Sequence, residues 1–179
     1  EAYWALDEQV VTNVARDLTG RHNCTNLVTA SVEPLNYVGR GMEGLFSDWW
    51  NSYTCYSFGF GSPIIPYEYL QAPPSPAFDR LTTGLSLETW VRVIEFTTNW
   101  QSLITKGASW ALHRYDATRK LAFSTTSTDG QHHLISRQEL EYERWYHVVA
   151  TFDGQTKRLY IDRSEERRVG NECRSRWSP

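Results

Sequence analysis

From Gly84 onward the chain alternates apolar and polar residues at every second position, and this pattern limits the fold more than any other feature. Leu85, Leu87, Thr89, Val91 and Val93 share one parity, while Ser86, Glu88, Trp90 and Arg92 take the other. A period of two places side chains on opposite faces of an extended strand. Further strands are expected over Trp100 to Lys106, Trp110 to Tyr115, Leu121 to Ser124, His132 to Ser136, Arg144 to Phe152 and Lys157 to Asp162. Between them lie turn-forming segments: Gly107-Ala108-Ser109, Asp116 to Arg119, Ser127-Thr128-Asp129-Gly130 and Asp153-Gly154. Short strands, frequent turns and the lack of a helical period predict an all-β fold, an antiparallel β-sandwich of the jelly-roll kind.

In the strand before Asp153, Trp145, His147, Val149 and Thr151 face one way, and Tyr146, Val148, Ala150 and Phe152 the other. Both sets are apolar in the middle, as in a central sandwich strand. The N-terminal half reads less regularly. Tyr3-Trp4-Ala5-Leu6 predicts a short first strand, residues 10–20 a short helix or a loop, and Asp17-Leu18-Thr19-Gly20 an Asx-type turn. Residues 39–79 are rich in Gly, Pro, Ser and aromatics, which rules out a long helix and predicts short extended pieces joined by loops.

Aromatic residues form 14% of the 179-residue chain, enough to fill a core, which argues against general disorder. A net charge of −3 provides no basic footprint for nucleic acid. No apolar run is long enough to insert in a membrane. The chain starts at Glu1 with no recognisable leader. Cys24 and Cys55 either form a disulfide, which would fit an oxidising compartment, or remain two partly buried thiols. Asn23-Cys24-Thr25 matches a glycosylation sequon, a weak signal in isolation.

Several segments, in this order and spacing, resemble the laminin G-like, concanavalin A-like lectin/glucanase superfamily found in many extracellular bacterial proteins. They are Tyr3 to Glu8, Ala15 to Gly20, Gly39 to Glu43, Leu85 to Arg92, Trp145 to Gly154 and Lys157 to Asp162. The resemblance covers residues 3–162 and implies two antiparallel sheets, with further strands normally following the last hairpin. At Arg163 this sequence departs from the family, which has Gly there. Residues 163–179 hold five Arg and three Glu, alternation stops, and the segment resembles translated adapter or vector sequence. The expected organisation is therefore an incomplete laminin G-like sandwich over 1–162, missing its last strands, and a non-native or disordered charged tail over 163–179. A native charged tail is the alternative.

The functional expectation is a non-catalytic extracellular or cell-surface binding or adhesion module, set among other domains of a larger chain. Its partner would be carbohydrate or another extracellular protein. Aromatic side chains offer flat apolar faces beside polar groups, and Trp49, Trp50, Tyr53 and Tyr56 are the candidate ligand contacts, or else loop-anchoring core. The family resemblance implies calcium at one sandwich edge, with Asp17 the candidate ligand and Asp162 a further oxygen donor, or turn capping by Asp17 instead. Trp90 and His147 are read as packing residues, with ligand contact by Trp90 the alternative. His22, His113, His132 and His133 lack tight metal-ligand spacing, and His132 and His133 should point to opposite faces. A structural spacer is the second reading.

Glycoside hydrolysis on the same fold is the third reading. It needs two carboxylates about 5–5.5 Å or about 6.5–9.5 Å apart. Glu139, Glu141 and Glu143 share a parity but lie in a polar run typical of a solvated turn, Glu88 stands alone, and no Glu-x-Asp-x-x-Glu pattern occurs.

Overall fold

A computed structural model describes residues 2–4, 14–28, 38–40, 54–56, 68–79, 81, 83–93, 95–96 and 98–170. They fall in two compact units, 1–75 and 76–179.

The first unit holds strands β1 (Val14–Ala15), β2 (Cys24–Val28), β3 (Val38–Arg40), β4 (Thr54–Tyr56) and β5 (Glu68–Gln71). They form a three-stranded antiparallel sheet in the order β1-β2-β5 and a separate β3-β4 pair. Trp4 adds an isolated bridge to Asp17 where a first strand was expected. Residues 14–20 form a two-residue strand and a turn, so no helix spans that stretch.

The second unit begins with the short helix α1 (Pro76–Asp79) and continues through eight strands. They are β6 (Leu85–Arg92), β7 (Ser102–Lys106), β8 (Trp110–Arg114), β9 (Lys120–Ser127), β10 (Gly130–Glu139), β11 (Trp145–Phe152), β12 (Thr156–Ile161) and β13 (Ser164–Gly170). Two four-stranded antiparallel sheets result, β10-β9-β8-β7 and β13-β12-β11-β6. Their facing sides enclose the core, making this unit an antiparallel β-sandwich.

Strand parity accounts for the core. Leu112, Phe123 and Leu134 lie side by side across β8, β9 and β10 and are buried. Tyr146, Val148, Ala150 and Phe152 alternate down β11, with Leu159 and Ile161 beside them on β12. Each of the Leu, Val, Ile and Phe side chains among them contributes about 1.5–3 kcal/mol when fully buried. The Tyr146 hydroxyl accepts the Glu141 N–H at 2.8 Å, which satisfies the one polar atom of that ring. Lys157 is also buried on the core side, where Nζ donates to Thr125 Oγ1 at 3.1 Å and to the His132 carbonyl at 2.8 Å.

The hairpins follow from local chemistry. Asp153 Oδ1 accepts the N–H groups of Gln155 at 3.0 Å and Thr156 at 2.7 Å, closing the β11–β12 turn. Gly154 takes φ +88°, and a Cβ there would lie 2.9 Å from the Thr83 carbonyl oxygen. Asp162 and Arg163 have φ of +50° and +69°, so both central residues of the β12–β13 turn are left-handed, as a two-residue type I′ turn requires. Beyond it, residues 164–170, which the sequence reading set apart as a tail, pair antiparallel with β12. Residues 171–179 lie outside the described set.

Candidate functional site

The outer face of the β10-β9-β8-β7 sheet is built from the residues that alternate with Leu112, Phe123 and Leu134. Ala111, Ser124 and His133 form one cross-strand row, and His113, Ala122 and Ile135 the next. His113, Ser124 and His133 therefore meet on a diagonal across three strands. His113 Nδ1 lies 2.6 Å from the Arg114 carbonyl, His113 Nε2 lies 2.6 Å from Ser124 Oγ, and Ser124 Oγ lies 2.6 Å from His133 Nδ1.

Trp100 caps this chain. Its ring centroid is 5.6 Å from that of His113, 5.4 Å from His133 and 5.2 Å from Tyr115, the last edge-on. The residue nevertheless remains 44% exposed.

Two loops hold Trp100 in place, and both are tied to Arg114. The buried guanidinium lies over the Phe96 ring, 4.9 Å from its centroid. Nε donates to the Thr118 carbonyl at 2.6 Å, one terminal nitrogen to Thr98 at 2.9 Å and the other to Ala117 at 2.5 Å. The Trp100 N–H donates to the Asp116 carbonyl at 3.4 Å, and the Asn99 amide to the Asp116 carboxylate at 3.4 Å. Trp100 (φ +59°) and Asp116 (φ +48°) both sit in the left-handed region. That conformation costs a non-glycine residue about 1–2 kcal/mol and persists only where surrounding contacts over-determine it.

Burial disfavours the charged form of both histidines. Burial pushes the His113 pKa down against the opposing pull of the Arg114 carbonyl. Burial also lowers His133, helped by the nearby positive potential of His113, Lys157 and His132. Ser124 is fully buried, so its hydroxyl links the two imidazoles without meeting a substrate.

The model of the concanavalin A-like lectin/glucanases superfamily, of the laminin G type, matches residues 66–172, more than half of the chain. The chain belongs to this family. The match reaches past Arg163 and through β13. No curated protein matches the concanavalin A-like chain. Among solved structures it is similar to a Bacteroides ovatus protein proposed to bind carbohydrate, with 18% identity and a TM-score of 0.46 over 55% of this chain. The aligned region spans 28% of that protein.

Of the residues singled out in the sequence of this laminin G-like chain, Trp49, Trp50 and Tyr53 lie outside the described residues. Tyr56 ends β4, and its side chain lies outside them too. Asp17 is buried and organises its own turn. Oδ1 accepts N–H groups from Tyr3 at 2.8 Å and Thr19 at 3.0 Å. Oδ2 accepts the Thr19 hydroxyl at 2.6 Å and N–H groups from His22 at 2.9 Å and Arg21 at 3.3 Å. Burial raises the carboxyl pKa, but these donors outweigh it and hold the group well below the usual carboxylate range. The turn-capping alternative therefore has direct geometric support, and a calcium ion at Asp17 would have to displace these donors. Asp162 accepts the His147 N–H at 3.0 Å and pairs with Arg144 at 2.9 Å. Among the described residues no cluster of three or more His, Cys, Asp or Glu gathers around a common point.

Cys24 is a buried free thiol, and burial with Asp17 nearby pushes its pKa up to about 11; the side chain of Cys55 lies outside the described residues. Trp90, 46% exposed on the outer face of the other sheet, lies 4.8 Å from the His147 ring, whose Nε2 meets Glu88 at 2.8 Å. Glu139 pairs with Arg119 at 3.0 Å.

Sequence reading missed Trp100 as a site residue because it was placed at the start of a strand. The strand begins at Ser102, and Trp100 sits in the preceding turn. A clue was present in the parity of His113, Ser124 and His133, each opposite to its core-forming neighbours. His132 and His133 do point to opposite faces, as expected. His133 joins Ser124, while His132 turns to Asp129 at 3.1 Å.

Proposed function

We propose that this chain is a non-catalytic carbohydrate-binding module of an extracellular or cell-surface protein, and that the Trp100 platform is its binding surface. The observation that carries the proposal is an indole 44% exposed yet seated on the rings of His113, Tyr115 and His133. A sugar ring has apolar C–H faces and polar hydroxyl edges. An indole held over these rings, tilted 41° to His113 and 37° to His133, provides the apolar half of that match, and its anchored position limits the entropy lost on binding. His133 and the Asn99–Asp116 pair at the rim supply polar partners. Family membership agrees with this choice, since its lectins and glucanases both engage glycans. No helix among the described residues is long and apolar enough to cross a membrane. Jelly-roll closure of the sandwich belongs to the same proposal.

The test is a glycan array with the full chain, with and without calcium, followed by titration of the best ligand against Trp100→Ala. Loss of about 2 kcal/mol, roughly thirtyfold in affinity, is expected for a central aromatic contact. Absence of binding to every glycan would overturn the carbohydrate reading. Binding that survives Trp100→Ala but is lost on joint replacement of Trp49 and Trp50 by Ala would move the site to the loop aromatics.

A further inference from the structure

We infer that Ser124 is a positioning residue that fixes the tautomer of His133, so that His133 Nε2 faces the ligand as a hydrogen-bond acceptor for a sugar hydroxyl. This inference rests on the proposal that the Trp100 platform binds carbohydrate, and it deepens it by naming the polarity of one contact.

The polarity follows from one end of the chain of bonds. A peptide carbonyl can only accept, so the proton of His113 sits on Nδ1, directed at the Arg114 oxygen 2.6 Å away. A neutral imidazole has one N–H, so His113 Nε2 is an acceptor. The Ser124 hydroxyl, 2.6 Å from it, must be the donor. With its single hydrogen committed, Ser124 Oγ can only accept across the 2.6 Å contact to His133 Nδ1, which places the His133 proton on Nδ1. His133 Nε2 is left with a bare lone pair and has no protein partner among the described residues. The bond made by one ring nitrogen thus decides what the other offers.

The surroundings reinforce the neutral state. The groups around His133 are the ring of Tyr115, the indole of Trp100 and three groups that each bear or can acquire positive charge, namely His113, His132 and Lys157. Acidification would place a proton on Nε2 and turn the acceptor into a donor, so the sugar hydroxyl would have to accept instead of donate.

Long-range proton–nitrogen NMR spectra of the full chain at pH 7.5 read the tautomer directly. The five histidines can be resolved, with His133 assigned from the peak lost in His133→Gln. The expected result is a protonated Nδ1 and an unprotonated Nε2 at His133. In Ser124→Ala the proton should move towards Nε2, and in Ser124→Thr, which keeps the hydroxyl, it should stay on Nδ1. A wild-type His133 protonated at Nε2, or a folded Ser124→Ala with an unchanged tautomer, would overturn the inference. The wild-type spectrum decides the matter even if Ser124→Ala does not fold. No ligand is needed, so an Nδ1 tautomer with no glycan binding on the array refutes the carbohydrate reading and leaves the positioning role. Glycan binding with an Nε2 tautomer does the reverse.

Discussion

Replacing Arg114 with Lys should show how much of the Trp100 platform depends on one guanidinium. Lys keeps the charge but loses the planar fork that reaches the carbonyls of Thr98, Ala117 and Thr118 together. An ammonium on a flexible stem can hold one of the three, so two charge-assisted bonds are lost. Each is worth about 1.5–3 kcal/mol, and roughly half is recovered where the part-buried carbonyls regain water. The expected destabilisation is about 1.5–3 kcal/mol, or a fall in Tm on the order of 3–12 °C for a chain of this size. Thermal unfolding followed by near-ultraviolet circular dichroism measures it. The loops carrying Trp100 and Asp116 would be released together, so affinity for any array ligand should fall with stability. A change under about 0.5 kcal/mol would show that the carbonyls find equivalent partners and that the guanidinium does not organise the platform.

Arg163→Gly should stabilise the second unit by about 1 kcal/mol, because φ +69° penalises a side chain with a Cβ and not glycine. Urea denaturation reads this, and no gain would mean that the β12–β13 turn does not hold that conformation in solution. Acid should weaken the fold as pH falls from about 4 towards 2. N–H donors from Thr156, the Arg158 guanidinium and the Gln155 N–H hold Asp153 at about 2 in the folded chain, while burial opposes them. Between that value and the unfolded value near 4 the unfolded state binds more protons, so stability is present above this window and is lost within it. Asp153→Asn should reduce the slope of denaturant midpoint against pH between about pH 2 and 5, leaving the part due to other depressed carboxylates such as Asp17. An unchanged slope would contradict the assignment.

The β-sandwich of the second unit was readable in the sequence because a strand's core face is set by a period of two, which needs no distant information. The alternation of Leu85 and Leu87, and of Tyr146, Val148, Ala150 and Phe152, appears as buried positions on β6 and β11. The hairpin at Asp153-Gly154 was readable for a similar local reason, since its side-chain acceptor and its glycine both act within four residues. Family resemblance added the identity of the fold but not the location of a platform.

The Trp100 site was not readable, and the reason is register. His113, Ser124 and His133 come from three strands, and which residues lie opposite one another depends on how each intervening turn closes. A shift of one residue at either turn would send one of these side chains into the core and break the chain of bonds. The left-handed turn that brings Trp100 over them is likewise a tertiary outcome. It costs energy locally and is held by Arg114 bonds to loops on both sides. The sequence alone therefore determined which faces are apolar, and the tertiary structure decided which polar and aromatic side chains meet outside the core. Local periodicity encodes the first, and only the summed geometry of turns, register and loop anchors fixes the second.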